Sequence, residues 1–219
     1  MNQSKISRRI KWLPLLMAVA LAALAIAATR FREPILRAAG WALVINEPVE
    51  SADIIVVSLD SAGAGALEAA DLVKSGVSKR VAVFMDAPNE EGQEFIRRGI
   101  AYEDGEATQI SQLRSLGVTD IVQISPVEGT EDEVRALPAW CDEHNLRSIV
   151  FVAHSDHTRR LRRLLDRVMR GHSTRVAVKP ARYTNFDPDR WWQTRTGVRT
   201  ELVEIQKLLL DIVLHPMSS

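Results

Sequence analysis

Residues 53–59, DIIVVSL, decide the fold. Four successive β-branched aliphatic residues, Ile54 to Val57, leave no polar position for a solvent-facing side. An unbroken run of this kind belongs to a strand covered on both faces, as in a parallel sheet sandwiched by helices. Directly after it come six small or turn-forming residues, DSAGAG at 60–65, and then a helical stretch over 65–74. Strand, tight turn and helix make the first half of a parallel crossover unit.

The same alternation recurs outward from that stretch. Strand-like runs stand at 80–85 (RVAVFM), 120–124 (DIVQI), 148–153 (SIVFVA) and 174–178 (TRVAV). Between them lie helical patterns: a broken pair across 90–116, then 131–145 and 158–170, with a last helix at 196–214. This order predicts an α/β fold, a Rossmann-like three-layer α/β/α sandwich with a mainly parallel sheet. In the last helix, Val198, Leu202, Ile205, Leu209 and Ile212 share one stripe, with Glu204, Lys207 and Asp211 opposite. That stripe is expected to pack against the sheet.

The N-terminus has a different character. Trp12 to Thr29 are eighteen uncharged residues, about 27 Å of helix, close to the roughly 30 Å thickness of a bilayer core. Lys5, Arg8, Arg9 and Lys11 precede the segment, and Arg30, Arg32 and Arg37 follow it. The expectation is one N-terminal transmembrane helix with the bulk of the chain outside; the alternatives are a cleaved signal peptide, with Ala25-Ile26-Ala27 as its small-x-small site, and a buried helix of a soluble protein. The boundaries that follow are a basic tail at 1–11, an anchor at 12–29, a connector helix at 30–50, broken by Asn46, Glu47 and Pro48, and a Rossmann-like domain at 51–219.

Composition narrows the function. With 46% hydrophobic residues the chain is no disordered or collagen-like protein. Its 28 basic and 28 acidic side chains cancel overall, which argues against coating nucleic acid. The balance is regional: net +6 over 1–37, −13 over 38–146 and +7 over 147–219, so an anionic ligand is drawn toward the C-terminal third. Cys141 is the sole cysteine, which excludes an intrachain disulfide and a cysteine-based zinc site.

In parallel α/β sheets ligands bind beyond the carboxyl ends of the strands, so the residues that follow each strand are the candidates. The first strand is followed by Asp60 and Ser61, in a loop that is neither a Walker loop nor a complete dinucleotide fingerprint; no cofactor is expected. The third leads to Thr130 and Asp132. There Thr130 is placed to cap the next helix and Glu133 to close a capping box. The fourth ends in His154-Ser155-Asp156-His157-Thr158-Arg159-Arg160, the most site-like stretch, with His154, His157 and Arg160 as candidates. Arg159, Arg163, Arg167 and Arg170 fall on one helical face, expected to be the outer one. Two histidines and an aspartate are too few for a metal, and none is expected. A Ser–His–Asp hydrolase with Ser61 or Ser125 as nucleophile lacks the Gly-x-Ser-x-Gly elbow.

In order and spacing these features resemble the bacterial SanA/YdcF/ElyC-like proteins, which carry the domain of unknown function 218. The resemblance covers roughly residues 36–212. It rests on the hydrophobic N-terminal helix, the Pro48…Ala52-Asp53 approach to the first strand, Ala69-x-x-Leu72-x-x-x-Gly76, Thr130-x-Asp132, His157-x-x-Arg160, Trp191/Trp192 and Glu204-Ile205-Gln206-Lys207. The chain departs from the family where Ser58-Leu59-Asp60-Ser61 replaces a glycine-rich segment and where an arginine expected near Gly65 is absent. The resemblance implies a Rossmann-like fold and a role in cell-envelope biogenesis, in peptidoglycan or polyprenyl-phosphate-linked glycan pathways.

The expected function is therefore that of a protein of the bacterial cytoplasmic (inner) membrane, single-pass, with its domain facing the periplasm or exterior. Its cleft is expected to bind or process an anionic envelope glycan or a polyprenyl-phosphate intermediate, with envelope-biosynthesis proteins as partners and no nucleic acid. The alternative is a non-catalytic membrane-tethered scaffold for peptidoglycan or polysaccharide machinery, using the arginine face of the helix at 158–170. A cytosol-facing nucleotide-binding enzyme would require the inverted topology.

Overall fold

The computed structural model describes residues 16, 17, 19, 30–101 and 105–216. Apart from Leu16, Met17 and Val19, the expected anchor at 12–29 lies outside the described residues. Among the described residues no helix is long and apolar enough to cross a membrane. The chain divides into two compact units, Met1–Ala39 and Gly40–Ser219. Residues 30–43 are helical (α1), and the part of α1 within the first unit exposes Phe31 and Ile35.

The second unit runs β1 (Ile54–Val57), α2 (Ala62–Lys74), β2 (Arg80–Asp86), α3 (Glu90–Arg97), α4 (Gly105–Ser115), β3 (Asp120–Val127), α5 (Thr130–Glu143), β4 (Ser148–Ala153), α6 (Thr158–Val168), β5 (Arg175–Pro180) and α7 (Arg195–Leu214). Single 3-10 turns follow β1 and β4 and precede α7. The sheet has the order β3-β2-β1-β4-β5, and every pairing is parallel. The fold is thus Rossmann-like, and its sheet is parallel throughout rather than mainly so.

Alternate residues of the two central strands feed two separate cores. Ile54, Val56, Ile149 and Phe151 pack with Val134, Leu137, Leu161 and Leu165 of α5 and α6. Ile55, Val57, Val150 and Val152 pack with Ala66, Ala69 and Ala70 of α2 and Leu113 of α4. Helices thus cover both faces, which is why β1 and β4 read as continuous apolar runs. The crossovers that follow β1 and β4 leave on opposite faces, so the sheet has its topological switch point between these adjacent strands.

Two close approaches fix the segment entering the domain. A Cβ on Gly40 would lie 2.4 Å from the Pro188 carbonyl oxygen and 2.7 Å from Trp191, and one on Gly197 would lie 2.3 Å from the Trp191 carbonyl oxygen. Trp191 is buried in this corner. Beyond it, the Ile45 N–H donates to Thr158 Oγ1 at 2.8 Å, and the Val178 N–H donates to Glu47 Oε2 at 2.7 Å.

The last helix corrects two expectations. α7 packs on α6 through its polar side: Gly197, Glu201, Glu204, Leu208 and Asp211 are its buried residues, while Leu202, Leu209 and Ile212 of the expected packing stripe are exposed. The arginines of α6 are likewise not an outer face. Arg160 reaches Glu204 at 3.3 Å, Arg163 and Arg167 grip the two Asp211 oxygens at 2.7 and 2.6 Å, and Arg159 donates to the Ala42 carbonyl and, at 3.2 Å, to that of Val44. Complementary charge, not hydrophobicity, chooses which side of α7 is buried. The Asp211 carboxyl is raised by burial and lowered more strongly by Arg167 and Arg163, so it stays below its usual range.

Removing the shared carboxylate takes a counter-charge in contact from two largely buried arginines. Asp211→Ala is therefore expected to destabilise the domain by about 3 kcal/mol in chemical denaturation. A change within about 0.5 kcal/mol, the usual effect at an exposed polar position, would return Asp211 to the solvent side.

Candidate functional site

The candidate site lies at the carboxyl ends of β1 and β4. The turn after β1 presents Ser58, Asp60 and Ser61; the turn after β4 presents His154, Asp156 and His157; the start of α5 adds Thr130 and Glu133. Ala62, which follows immediately, holds a φ of +41°, a backbone conformation unfavourable for a residue with a Cβ.

Its centre is His157, which is 4% exposed. Nδ1 lies 2.8 Å from Asp156 Oδ1 in a hydrogen bond, and Nε2 lies 3.0 Å from Asp60 Oδ2 in an ion-pair contact. Both ring nitrogens thus face carboxylate oxygens, which favours a proton on each. Burial lowers the imidazole's affinity for its proton, but the charges and contacts of Asp60 and Asp156 outweigh it and push the pKa up to about 10. The carboxylates respond in kind. Burial raises both, yet His157 with Ser58 holds Asp60 below its usual range, and His154 with His157 holds Asp156 far below it.

From this imidazolium a chain of contacts extends in both directions. His154 Nδ1 lies 2.8 Å from Asp156 Oδ1, and its ring stacks parallel to that of His157 at 6.5 Å. On the other side, Ser58 Oγ lies 2.8 Å from Asp60 Oδ1 and 2.7 Å from Glu133 Oε2. A hydroxyl has one proton and can satisfy only one of two carboxylates, so the other contact requires a proton on a carboxyl. Glu133 meets that requirement. It is 1% exposed, and burial and the Asp60 charge raise its pKa to about 7 against the opposing Leu59 N–H, Ser58 and His157 contacts. With Glu133 protonated on Oε2, the carboxyl donates to Ser58, Ser58 donates to Asp60, and the Leu59 N–H donates to Glu133 Oε1 at 2.7 Å.

Asp60 is the member that opens outward, with 42% of its side chain exposed. Beside it lies a groove of about 750 Å³ between the start of α5, α6 and the end of α7, lined among others by Thr130, Asp132, Arg135, Arg160 and Lys207. Thr130 joins the two, since its Oγ1 stands 3.5 Å from Asp60 Oδ2. Each arginine and lysine that lines the groove has an acidic neighbour: Arg135 pairs with Asp132 and Glu131, Arg160 and Lys207 share Glu204, and Arg167 meets Asp211.

Of the candidates read from the sequence, Asp60, His154 and His157 form the buried chain, and Thr130, Asp132 and Arg160 line the groove. Ser61 joins neither, because its Oγ donates to the Ser58 carbonyl at 2.6 Å. That bond and the exposure of Ser125 leave neither serine as an activated nucleophile. The capping box is also corrected. Gly129 is the N-cap of α5, and Thr130 makes no cap bond; Glu133 points to Ser58 and Leu59 instead.

Ser58, Glu133, Asp156 and Glu201 are not among the candidates that the sequence offers. Among the described residues neither Glu201 oxygen has a partner, and burial alone raises this carboxyl to about 7. Among the described residues no cluster of three or more His, Cys, Asp or Glu is arranged for a metal ion.

No family model and no curated protein matches the chain. Among the solved structures similar to it are three at 17% identity. A universal stress protein in complex with cAMP has a TM-score of 0.38, over 60% of this chain and 99% of that one. The universal stress protein from Archaeoglobus fulgidus in complex with dAMP has a TM-score of 0.35, over 57% and 96%. The archaeal halo-thermophilic Red Sea brine pool alcohol dehydrogenase ADH/D1 bound to NZQ has a TM-score of 0.23, over 60% and 29%.

The protonation of Glu133 sets a pH dependence. Its folded pKa lies above the ordinary value of 4.5, so its contribution is complete below about pH 4.5 and is lost as pH rises through about 7. Glutamine can make the same two contacts, donating to Ser58 and accepting from Leu59. Glu133→Gln is therefore expected to match or exceed wild-type stability at pH 8 and to flatten the decline between pH 5 and 8, while Glu133→Ala destabilises at both. Equal losses at pH 8 for the two variants in denaturant titrations would mean that Glu133 is an ionised acceptor.

Proposed function

We propose that this chain is a divergent SanA/YdcF/ElyC-like protein of the bacterial cell envelope, tethered to the inner membrane by residues 12–29. Its domain, on the outer side, binds or processes an anionic envelope glycan or polyprenyl-phosphate intermediate. The groove between α5, α6 and α7 takes the anionic group, and the Asp60–His157–Asp156 chain meets the part of the ligand that exchanges a hydrogen bond or a proton. One observation carries the reading: Thr130 and Arg160, from different elements, line one groove, and Thr130 also reaches Asp60 at the switch point.

In chemical terms, Arg160 and Arg135 offer several N–H donors each, so they can engage phosphate oxygens while keeping their carboxylate partners. Asp60 presents a carboxylate to solvent with a buried imidazolium behind it, an arrangement suited to accepting a hydrogen bond from a sugar or phosphate hydroxyl. A second reading is a non-catalytic membrane-tethered scaffold. It no longer has an arginine face on α6 to use, since Arg159, Arg160, Arg163 and Arg167 are engaged inside the domain. The aliphatic side of α7 is the surface that supports it.

The test is ligand-dependent thermal stabilisation of the full chain by a short polyprenyl phosphate, a nucleotide sugar and a free nucleotide. The polyprenyl phosphate or the nucleotide sugar is expected to raise the melting temperature, and Thr130→Val and Arg160→Lys should each halve that shift or more. Arg114→Ala, on α4, should leave it unchanged. Stabilisation by the free nucleotide alone, or by none of the three, would contradict the reading.

A further inference from the structure

The aliphatic side of α7 takes no part in the proposed ligand binding. Leu202, Val203, Leu209, Leu210, Val213 and Leu214 are each between 40% and 74% exposed. At 100° per residue they form one stripe centred on Gln206, joined at its N-terminal end by Arg195 and Arg199. No acid lies on this stripe, because Glu201, Glu204 and Asp211 occupy the opposite, buried side. Six half-exposed aliphatic side chains on one stripe present on the order of 600 Å² of surface, the upper end of what the largest apolar patch of a monomer shows.

We infer that this face binds a second copy of the same chain, with the two α7 helices antiparallel about a two-fold axis at Gln206. Three arguments select that occupant. The first is area: fully covered, two such faces bury up to about 1,200 Å² together, the lower edge of the range for a specific interface. The second is register. A two-fold at Gln206 places Leu202 against the partner's Leu210 and Val203 against the partner's Leu209, so the stripe is self-complementary.

The third argument is charge. The antiparallel arrangement brings Arg199 beside the partner's Val213, in the last turn of a helix whose end carries negative partial charge. A parallel pair would instead set Arg199 against the partner's Arg199. A lipid surface fits less well, because an interfacial helix keeps a basic polar side for the headgroups, whereas the polar side of α7 is acidic and covered by α6.

Cys141 is the one cysteine and is buried, so Gln206→Cys gives the full chain a single accessible thiol. Treated in membranes with copper phenanthroline or a short bis-maleimide, this variant is expected to form a covalent dimer. In the same background Leu210→Glu should lower the dimer yield at least tenfold. Val213→Arg should do the same, while Val213→Glu, placed opposite the partner's Arg199, should retain it. Unchanged melting of each variant separates lost pairing from lost folding. A monomeric Gln206→Cys chain would overturn the proposal. So would a bimane label on that thiol quenched by brominated lipid, which would assign the face to the bilayer, or equal loss from Val213→Glu and Val213→Arg, which would refute the antiparallel register.

Discussion

Everything at the candidate site depends on one buried cation. His157 sits between Asp156, its neighbour in the same turn, and Asp60, which arrives from the end of another strand 97 positions earlier. A charge enclosed at this depth is tolerable only with counter-charges in contact. Two carboxylates meet that need, and by doing so they tie the end of β1 to the end of β4. The same demand propagates outward. Asp60 shares Ser58 with Glu133, a second carboxylate at that distance would repel the first, and Glu133 accordingly retains its proton near neutral pH. The switch point is thus a chain of alternating donors and acceptors with its outer member, Asp60, open to solvent.

A second charge layer lies beside the first, between α6 and α7. α6 carries arginines on the side that a wheel diagram assigns to solvent, and α7 carries its acids on the side that the same diagram assigns to solvent. The two outward sides face each other. Burying Glu204 and Asp211 against Arg160, Arg163 and Arg167 turns the leucine-rich side of α7 away from the sheet. Hydrophobic burial would favour the opposite rotation, so this orientation leaves an apolar stripe that a second copy can cover.

This layer also shows where the sequence could and could not be read. The parallel α/β fold was legible because β1 and β4 are buried on both faces, and only that environment accommodates runs such as Ile54–Val57. Asp60, Thr130 and His157 were legible because every parallel sheet places its strand ends at one edge. Glu133 was hidden because a capping box explains the same residue at the same spacing, and only the position of Ser58 across the cleft distinguishes the two. The packing side of α7 was hidden for a similar reason. Amphipathicity reports that a helix has two sides, and the partners that choose between them, Arg160 to Glu204 and Arg163 to Asp211, lie more than forty residues apart in the chain.

The central claim is that His157 remains an imidazolium at physiological pH, and ¹⁵N NMR of the histidine-labelled full chain tests it most directly. The chain has five histidines, and the His157 signals are identified by their loss in His157→Gln. Both ring nitrogens should stay protonated from pH 6 to about pH 9, with titration centred near 10. A His157 that loses its proton near the ordinary value of about 6.5 would contradict the account, because the neutral ring would bring no charge to the two carboxylates and an N–H to only one of them.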